Sequence, residues 1–208
     1  MTLKHFSDRH AVRLIATESR RADITPVELA RSHVALGRFV ASEMVDELDL
    51  EEREICHPLG SKTGWQVARE HEIVILVLMR AGLYAAEGVR ELLPNSRVVH
   101  ISPERGAGLG QTHLKALGPI NDRMFILVDS VVNTGATMEP VITQIRAGGA
   151  RWIAVLALVT PVSTAERLEI DHPDVHFYFA RISENHYVGR GATDTGNRLF
   201  GTILEERR

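Results

Sequence analysis

Phe125-Ile126-Leu127-Val128-Asp129-Ser130-Val131-Val132-Asn133-Thr134-Gly135-Ala136-Thr137-Met138 is the stretch from which the fold can be read. A short apolar run ends in one carboxylate, a small-residue loop with Gly135 at its centre follows, and a helix-forming segment runs over 138–147. The run is too short and too β-branched for a helix, and Gly135 with its hydroxyl neighbours marks a turn, so the stretch reads strand–loop–helix. Such a loop directs successive backbone N–H groups into one concavity, and the helix behind it adds the positive end of its dipole. A phosphate monoester suits that concavity. Asp129, at the carboxyl end of the strand, is placed to accept hydrogen bonds from hydroxyls attached to the phosphate. Phosphate plus vicinal diol describes a ribose 5-phosphate; the plain alternative is an ordinary strand-to-helix turn with an exposed Asp.

The segments on either side repeat the pattern. Residues 73–79 form a continuous apolar run, the mark of a strand buried on both faces of a parallel sheet. It ends at Arg80-Ala81-Gly82, an arrangement suited to an anion-contacting loop. A helix over 84–93 stops at Pro94-Asn95, and 97–101 is the next strand. The long connection to Pro119 carries four glycines and is expected to act as a mobile lid bearing Arg105. Its Gly106-x-Gly108-x-Gly110 spacing is one residue short of a dinucleotide fingerprint, and no clear helix opens on it. Strands over 152–159 and 175–180 flank a helix ending near 170.

Towards the N-terminus, residues 7–21 carry a weak helical signal. Thr25-Pro26-Val27-Glu28 is a capping box with Pro at the first helical position, opening a long helix to about residue 45. The acidic stretch 46–54 reads as a solvated, partly helical face and 56–64 as a loop. The tail from Glu184 to Gly201 is too polar and glycine-rich for core. Strands alternating with helices after a helical start give an α/β fold with a mainly parallel central sheet flanked by helices.

Composition narrows the function classes. The 208 residues suit one domain, 1–208, with 44% apolar and 25% charged residues. A net charge of −3 offers no footprint for nucleic acid or an anionic membrane surface. No apolar run approaches the roughly 18–20 residues of a membrane span, and the first residues lack the apolar core of a signal peptide. A lone cysteine, Cys56, makes neither an internal disulfide nor a zinc site, so a cytoplasmic protein is expected. No Gly-Lys-Ser/Thr follows the phosphate loop, no Gly-x-Ser-x-Gly elbow is present, and the His residues read as surface or hydrogen-bonded structural groups rather than zinc ligands.

At this point the chain resembles the uracil phosphoribosyltransferases, from about Ile24 to Thr202. The most specific segments are Leu78-Met79-Arg80-Ala81-Gly82-Leu83, the stretch Ile126 through Thr137, and Asp194-Thr195-Gly196-Asn197-Arg198-Leu199-Phe200-Gly201-Thr202. The resemblance implies a type I phosphoribosyltransferase fold with a C-terminal base-binding segment. It also implies 5-phosphoribosyl 1-diphosphate as donor, Mg²⁺ as cofactor, at least a homodimer, and GTP as an effector of some relatives. Carried over by position, Asp129, Ser130, Val131, Val132, Asn133, Thr134, Gly135, Ala136 and Thr137 would hold the ribose 5-phosphate. Arg80 and Arg105 would face the diphosphate. Val188, Thr193, Asp194 and Thr195 would line the base pocket, with Asp194 near the ribosyl donor. Asp129, Arg105 and Asp194 are the catalytic candidates, and no protein-only metal site is implied. The tail departs from the usual pattern, with Arg190 for Pro, Thr193 for Gly and Asn197 for Asp. Transfer to uracil is the leading expectation. A regulatory protein that keeps the donor pocket without catalysis, or a transferase for another base, are the alternatives.

Overall fold

The computed structural model describes residues 2–104, 106–187 and 189–202; Arg105 and Val188, both site expectations, lie outside the described residues. Among the described residues, eight strands and seven α-helices follow in the order β1 (Leu3–His5), α1 (His10–Ser19), α2 (Pro26–Val45), β2 (Leu50–His57), β3 (Gly60–Val67), β4 (Ile73–Leu78), α3 (Leu83–Arg90), β5 (Arg97–Ile101), α4 (Gln111–Leu117), β6 (Met124–Val131), α5 (Met138–Ala147), β7 (Trp152–Pro161), α6 (Val162–Asp171), β8 (His176–Ser183) and α7 (Thr195–Phe200). Six strands form one sheet in the order β1-β8-β7-β6-β4-β5, and every neighbouring pair is parallel. The expected α/β architecture with a parallel central sheet is the one found.

The apolar runs are what fix the centre. All six residues of β4 are buried, as are Phe125 to Val128 of β6, because helices cover both faces of the sheet. On one face Val74, Leu76 and Leu127 pack against Val141, Ile142 and Ile145 of α5. On the other, Ile75, Val77 and Ile126 pack against Leu36, Val40 and Met44 of α2. The capping box at Thr25 and Glu28 opens α2 as expected, with Thr25 accepting from the Glu28 N–H and the Glu28 carboxylate accepting from the Thr25 N–H.

The chain runs from β4 outward to β5 on one side and then back across to β6 on the other. The carboxyl ends of β4 and β6 therefore flank the point where strand order reverses, where an open parallel sheet leaves a crevice. Arg80 follows β4 and Asp129 lies at the end of β6, so the topology puts them side by side.

Three local expectations are corrected. Residues 46–54 are not a helical face and 56–64 are not a loop: β2 and β3 form an antiparallel hairpin from Leu50↔Val67 to His57↔Gly60. Both strands are polar and exposed, so neither shows the apolar alternation by which a strand is recognised. Cross-strand hydrogen bonds from Gln66 to Glu51 and from Ser61 to Glu54 occupy the acidic side chains instead. A helix does open at Gly110; α4 buries only Leu117, too little for a periodic signal. The strand β1 is three residues long and carries no periodicity; its pairing with β8 is set from outside, by Phe177 N–H donating to the Thr2 carbonyl at 2.6 Å. The tail, too polar for core, forms a short 3₁₀ turn at Gly191–Thr193 and then α7.

Candidate active site

A cavity of about 480 Å³ lies over the crevice, bounded by Arg80, Asp129, Asn133, Tyr187, Asp194 and Thr195 among others. A smaller cavity of about 190 Å³ adjoins it, walled by Asp129 and residues 131–138. The loop after β6 builds that second space. Gly135 has φ +77°, and a Cβ there would stand 2.8 Å from the Glu139 carboxylate. Its carbonyl accepts from the N–H groups of Met138 and Glu139 at 2.8 and 2.9 Å, which starts α5 directly behind the loop. Arg167 of α6 donates to the Thr134 carbonyl at 2.7 Å and pairs with Glu139, bracing the loop from outside. Thr160 and Thr164 donate to the carbonyls of Val132 and Asn133, both at 2.7 Å. With the carbonyls turned outward and bonded, the backbone has a fixed concave side.

Asp129 stands at the rim between the two cavities. Burial pushes its carboxyl up to about 7, against the lowering effect of the Ser130 and Val131 N–H groups. The Ser130 N–H donates to Oδ1 at 2.7 Å. Ser130 and Val132 are themselves buried. Ser130 Oγ donates to the Ala81 carbonyl at 2.7 Å, which ties the turn after β4 to the end of β6. The two turns approach closely because residue 82 is Gly: a Cβ there would stand 2.4 Å from the Val128 carbonyl oxygen.

Arg80 is exposed, and the tail holds it in place. Its guanidinium donates to Asn197 Oδ1 at 2.9 Å and lies 5.7 Å from the centre of the Phe200 ring, which in turn stacks on Tyr84. Asn197 is neutral, so it orients the guanidinium without cancelling its charge. Asp194 caps α7, accepting from the Asn197 N–H at 2.8 Å. The first part of the tail is anchored to the phosphate loop: the Tyr187 N–H donates to Asn133 Oδ1 at 3.0 Å. Thr193 is exposed, and its hydroxyl accepts from the Arg190 N–H at 3.0 Å and donates to the Arg190 carbonyl at 2.9 Å.

Residues 6–202 match the family described as uracil phosphoribosyltransferase. The chain belongs to the uracil phosphoribosyltransferase family. It is 31% identical to the uracil phosphoribosyltransferase of Staphylococcus epidermidis over 175 residues, covering 80% of this chain and 83% of that protein. Among solved structures, a protein of Aquifex aeolicus superposes with a TM-score of 0.78 at 21% identity, covering 97% of this chain and all of that one. The orotate phosphoribosyltransferase of Mycobacterium tuberculosis, solved in complex with 5-phospho-α-D-ribosyl 1-diphosphate, superposes with a TM-score of 0.51 at 12% identity, covering 86% of this chain and 97% of that one. At those identities the likeness is one of fold.

For a member of this family, the structure brings together most of the residues expected from sequence. Arg80, Asp129, Val131, Asn133, Thr137, Asp194 and Thr195 border the larger cavity, and Thr134, Gly135 and Ala136 border the smaller one. Four residues join the site that were not among the expected site residues. Tyr187 walls the larger cavity, and Asn197 with Phe200 holds Arg80. Their only signal was ring and amide chemistry in a segment too polar for core. The fourth is His33, buried on α2, with Nδ1 2.8 Å from Ser130 Oγ. It occupies an apolar helical stripe with Leu29, Leu36 and Val40, and a polar residue in such a stripe was the one clue.

Proposed function

We propose that this chain transfers the 5-phosphoribosyl group from 5-phosphoribosyl 1-diphosphate to N1 of uracil, giving UMP and diphosphate. The observation that carries this reading is the meeting of the phosphate loop, Asp129, Arg80 and Asp194 around one crevice at the sheet's switch point. In this assignment the 5-phosphate occupies the smaller cavity against the backbone of residues 133–137 and the amino end of α5. Asp129 accepts hydrogen bonds from the ribose hydroxyls. Arg80, with Arg105, faces the diphosphate and stabilises the charge that builds as the C1–O bond breaks. The carboxylates of Asp129 and Asp194 lie against the sugar, where oxocarbenium character develops. Uracil takes the space beside Tyr187, with Val188, Thr193, Asp194 and Thr195 as its segment. Its N1 bonds to C1 and loses its proton as diphosphate departs.

The residues present fit a cation carried in by the donor. Two carboxylates, Asp129 and Asp194, border the same cavity, and burial holds the Asp129 carboxyl up to about 7, a cost to its ionised form that a bound cation would offset. Mg²⁺ takes one or two carboxylates together with substrate oxygens, and would supply charge neutralisation on the diphosphate. In this reading the whole chain, 1–208, acts as one catalytic unit. Exposed Leu59 and Trp65 on the β2–β3 hairpin support its working as at least a homodimer. GTP is the effector to try first.

The test is UMP and diphosphate formation from donor and uracil with Mg²⁺, with and without GTP. Steady turnover with uracil is expected. Donor binding without turnover of uracil or any other base would overturn the assignment.

A further inference from the structure

Behind the base segment lies a separate cavity of about 300 Å³. Val131, Tyr187 and Thr195 form the wall it shares with the active-site crevice, but its far side has a different character. Arg20 from the end of α1, Arg181 of β8 and Arg198 of α7 converge there with His33 of α2. No carboxylate lines this cavity among the described residues. Of the acids near Arg20 in sequence, Glu18 and Asp23 both pair with Arg21, which does not line this cavity.

The guanidinium groups differ in how they are held. Arg198 donates to the Arg21 carbonyl at 2.7 Å, a neutral partner that fixes the side chain and leaves its charge intact. Arg20 and Arg181 have neither an ion pair nor a side-chain hydrogen bond among the described residues. Arg181 is partly buried, and both burial and the neighbouring Arg20 charge hold its pKa below the ordinary value. Burial and Arg198 likewise push His33 down to about 4. A desolvated cation beside a second cation, with no counter-charge, is an unfavourable arrangement that an anion would relieve. Guanidinium forks also match the planar or tetrahedral oxygens of carboxylate and phosphate.

We infer that Arg20, Arg181, Arg198 and His33 form a second anion site, distinct from the donor site, that takes a phosphate or carboxylate group. Its occupancy is coupled to catalysis by construction. Arg198 lies in α7, the helix that Asp194 caps and from which Asn197 holds Arg80, while Tyr187 and Thr195 separate the two cavities. An anion drawing Arg198 and Arg181 together would set the position of that wall and hence the space left for the base. Two sources offer the chemistry: a free oxyanion, or an acidic substituent on a pyrimidine that reaches through the wall.

The measurement is a phosphate titration of the full chain by calorimetry, with the donor site held saturated by ribose 5-phosphate. A residual phosphate-binding event is expected in the wild type. Arg181→Met should weaken it at least tenfold, Arg181→Lys should recover part of the loss, and ribose 5-phosphate affinity should stay within twofold in both. Arg20 is exposed, so Arg20→Gln tests the same site without threatening the fold and should weaken phosphate severalfold. Orotate, a pyrimidine carboxylate, separates the sources: displacement of the second phosphate assigns the site to an acidic substituent of the base, and no displacement assigns it to a free oxyanion. A single phosphate event fully competed by ribose 5-phosphate would overturn the inference, as would unchanged residual binding in both Arg181→Met and Arg20→Gln. Either result leaves the reading of the donor site as a uracil transferase standing, because uracil turnover is measured separately.

Discussion

His33 of α2 and Ser130 of β6 meet at 2.8 Å across 97 positions of sequence. Ser130 gives its proton to the Ala81 carbonyl, so it accepts from the imidazole, and the ring proton sits on Nδ1. One hydroxyl thus joins a helix, the turn after β4 and the strand that ends at Asp129. Ser130→Ala leaves the buried His33 donor and the Ala81 carbonyl unmatched, which costs about 1–3 kcal/mol. Urea unfolding should show that loss, and donor affinity should fall with it because Arg80 follows Ala81's turn.

Two groups titrate with opposite effects on stability. The folded state holds the Asp129 proton up to about pH 7, well above the unfolded carboxyl, so its contribution favours the fold at low pH and is lost as pH rises through 7. The folded state keeps His33 neutral down to about pH 4, so its contribution is present above pH 6.5 and is lost as pH falls towards 4. Lowering the imidazole from 6.5 to about 4 corresponds to about 3 kcal/mol. His33→Asn retains a donor for Ser130 without the titration. Its unfolding free energy should be flatter between pH 6.5 and 4 than that of the wild type, while Asp129→Asn should gain stability relative to the wild type above pH 7.

The Asp129 carboxyl also sets a pH dependence for the donor. Accepting hydrogen bonds from two ribose hydroxyls requires the ionised form, so affinity for ribose 5-phosphate should tighten as pH rises through 7. Asp129→Asn should bind more weakly and lose that dependence, retaining only the titration of the ligand's phosphate near pH 6. Calorimetry from pH 5.5 to 8.5 checks both statements.

Arg80 is held by neutral and aromatic partners rather than by an acid. Arg80→Gln keeps a hydrogen-bonding group for Asn197 and removes the charge. A loss of at least about a hundredfold in kcat is expected from removing one stabilising cation at the leaving group, with the melting temperature nearly unchanged.

Asn133 carries the link between the donor loop and the base segment, through the Tyr187 N–H. Asn133→Ala breaks that link and leaves the phosphate-loop backbone in place. The KM for uracil should rise up to about tenfold, the equivalent of one hydrogen bond of roughly 1.4 kcal/mol. Donor KM should stay within twofold in initial-rate measurements.

The sequence by itself determined the sheet, the phosphate loop and the donor half of the site. Fully apolar β4 and β6 must be buried on both faces, and a glycine-centred turn after Asp129 must lead into α5. Those are local constraints, legible from residue type and spacing. The tertiary structure alone decided the rest. The hairpin of β2 and β3 is held by cross-strand polar bonds, which leave no apolar period, and β1 exists only because β8 offers it an edge. His33 became a support for the site when α2 was laid over Ser130, and three arginines 160 or more positions apart in part, Arg20 against Arg181 and Arg198, became one charged cavity when α7 closed over α2. Contacts of that kind depend on which elements the fold brings together, and no spacing within a single segment encodes them.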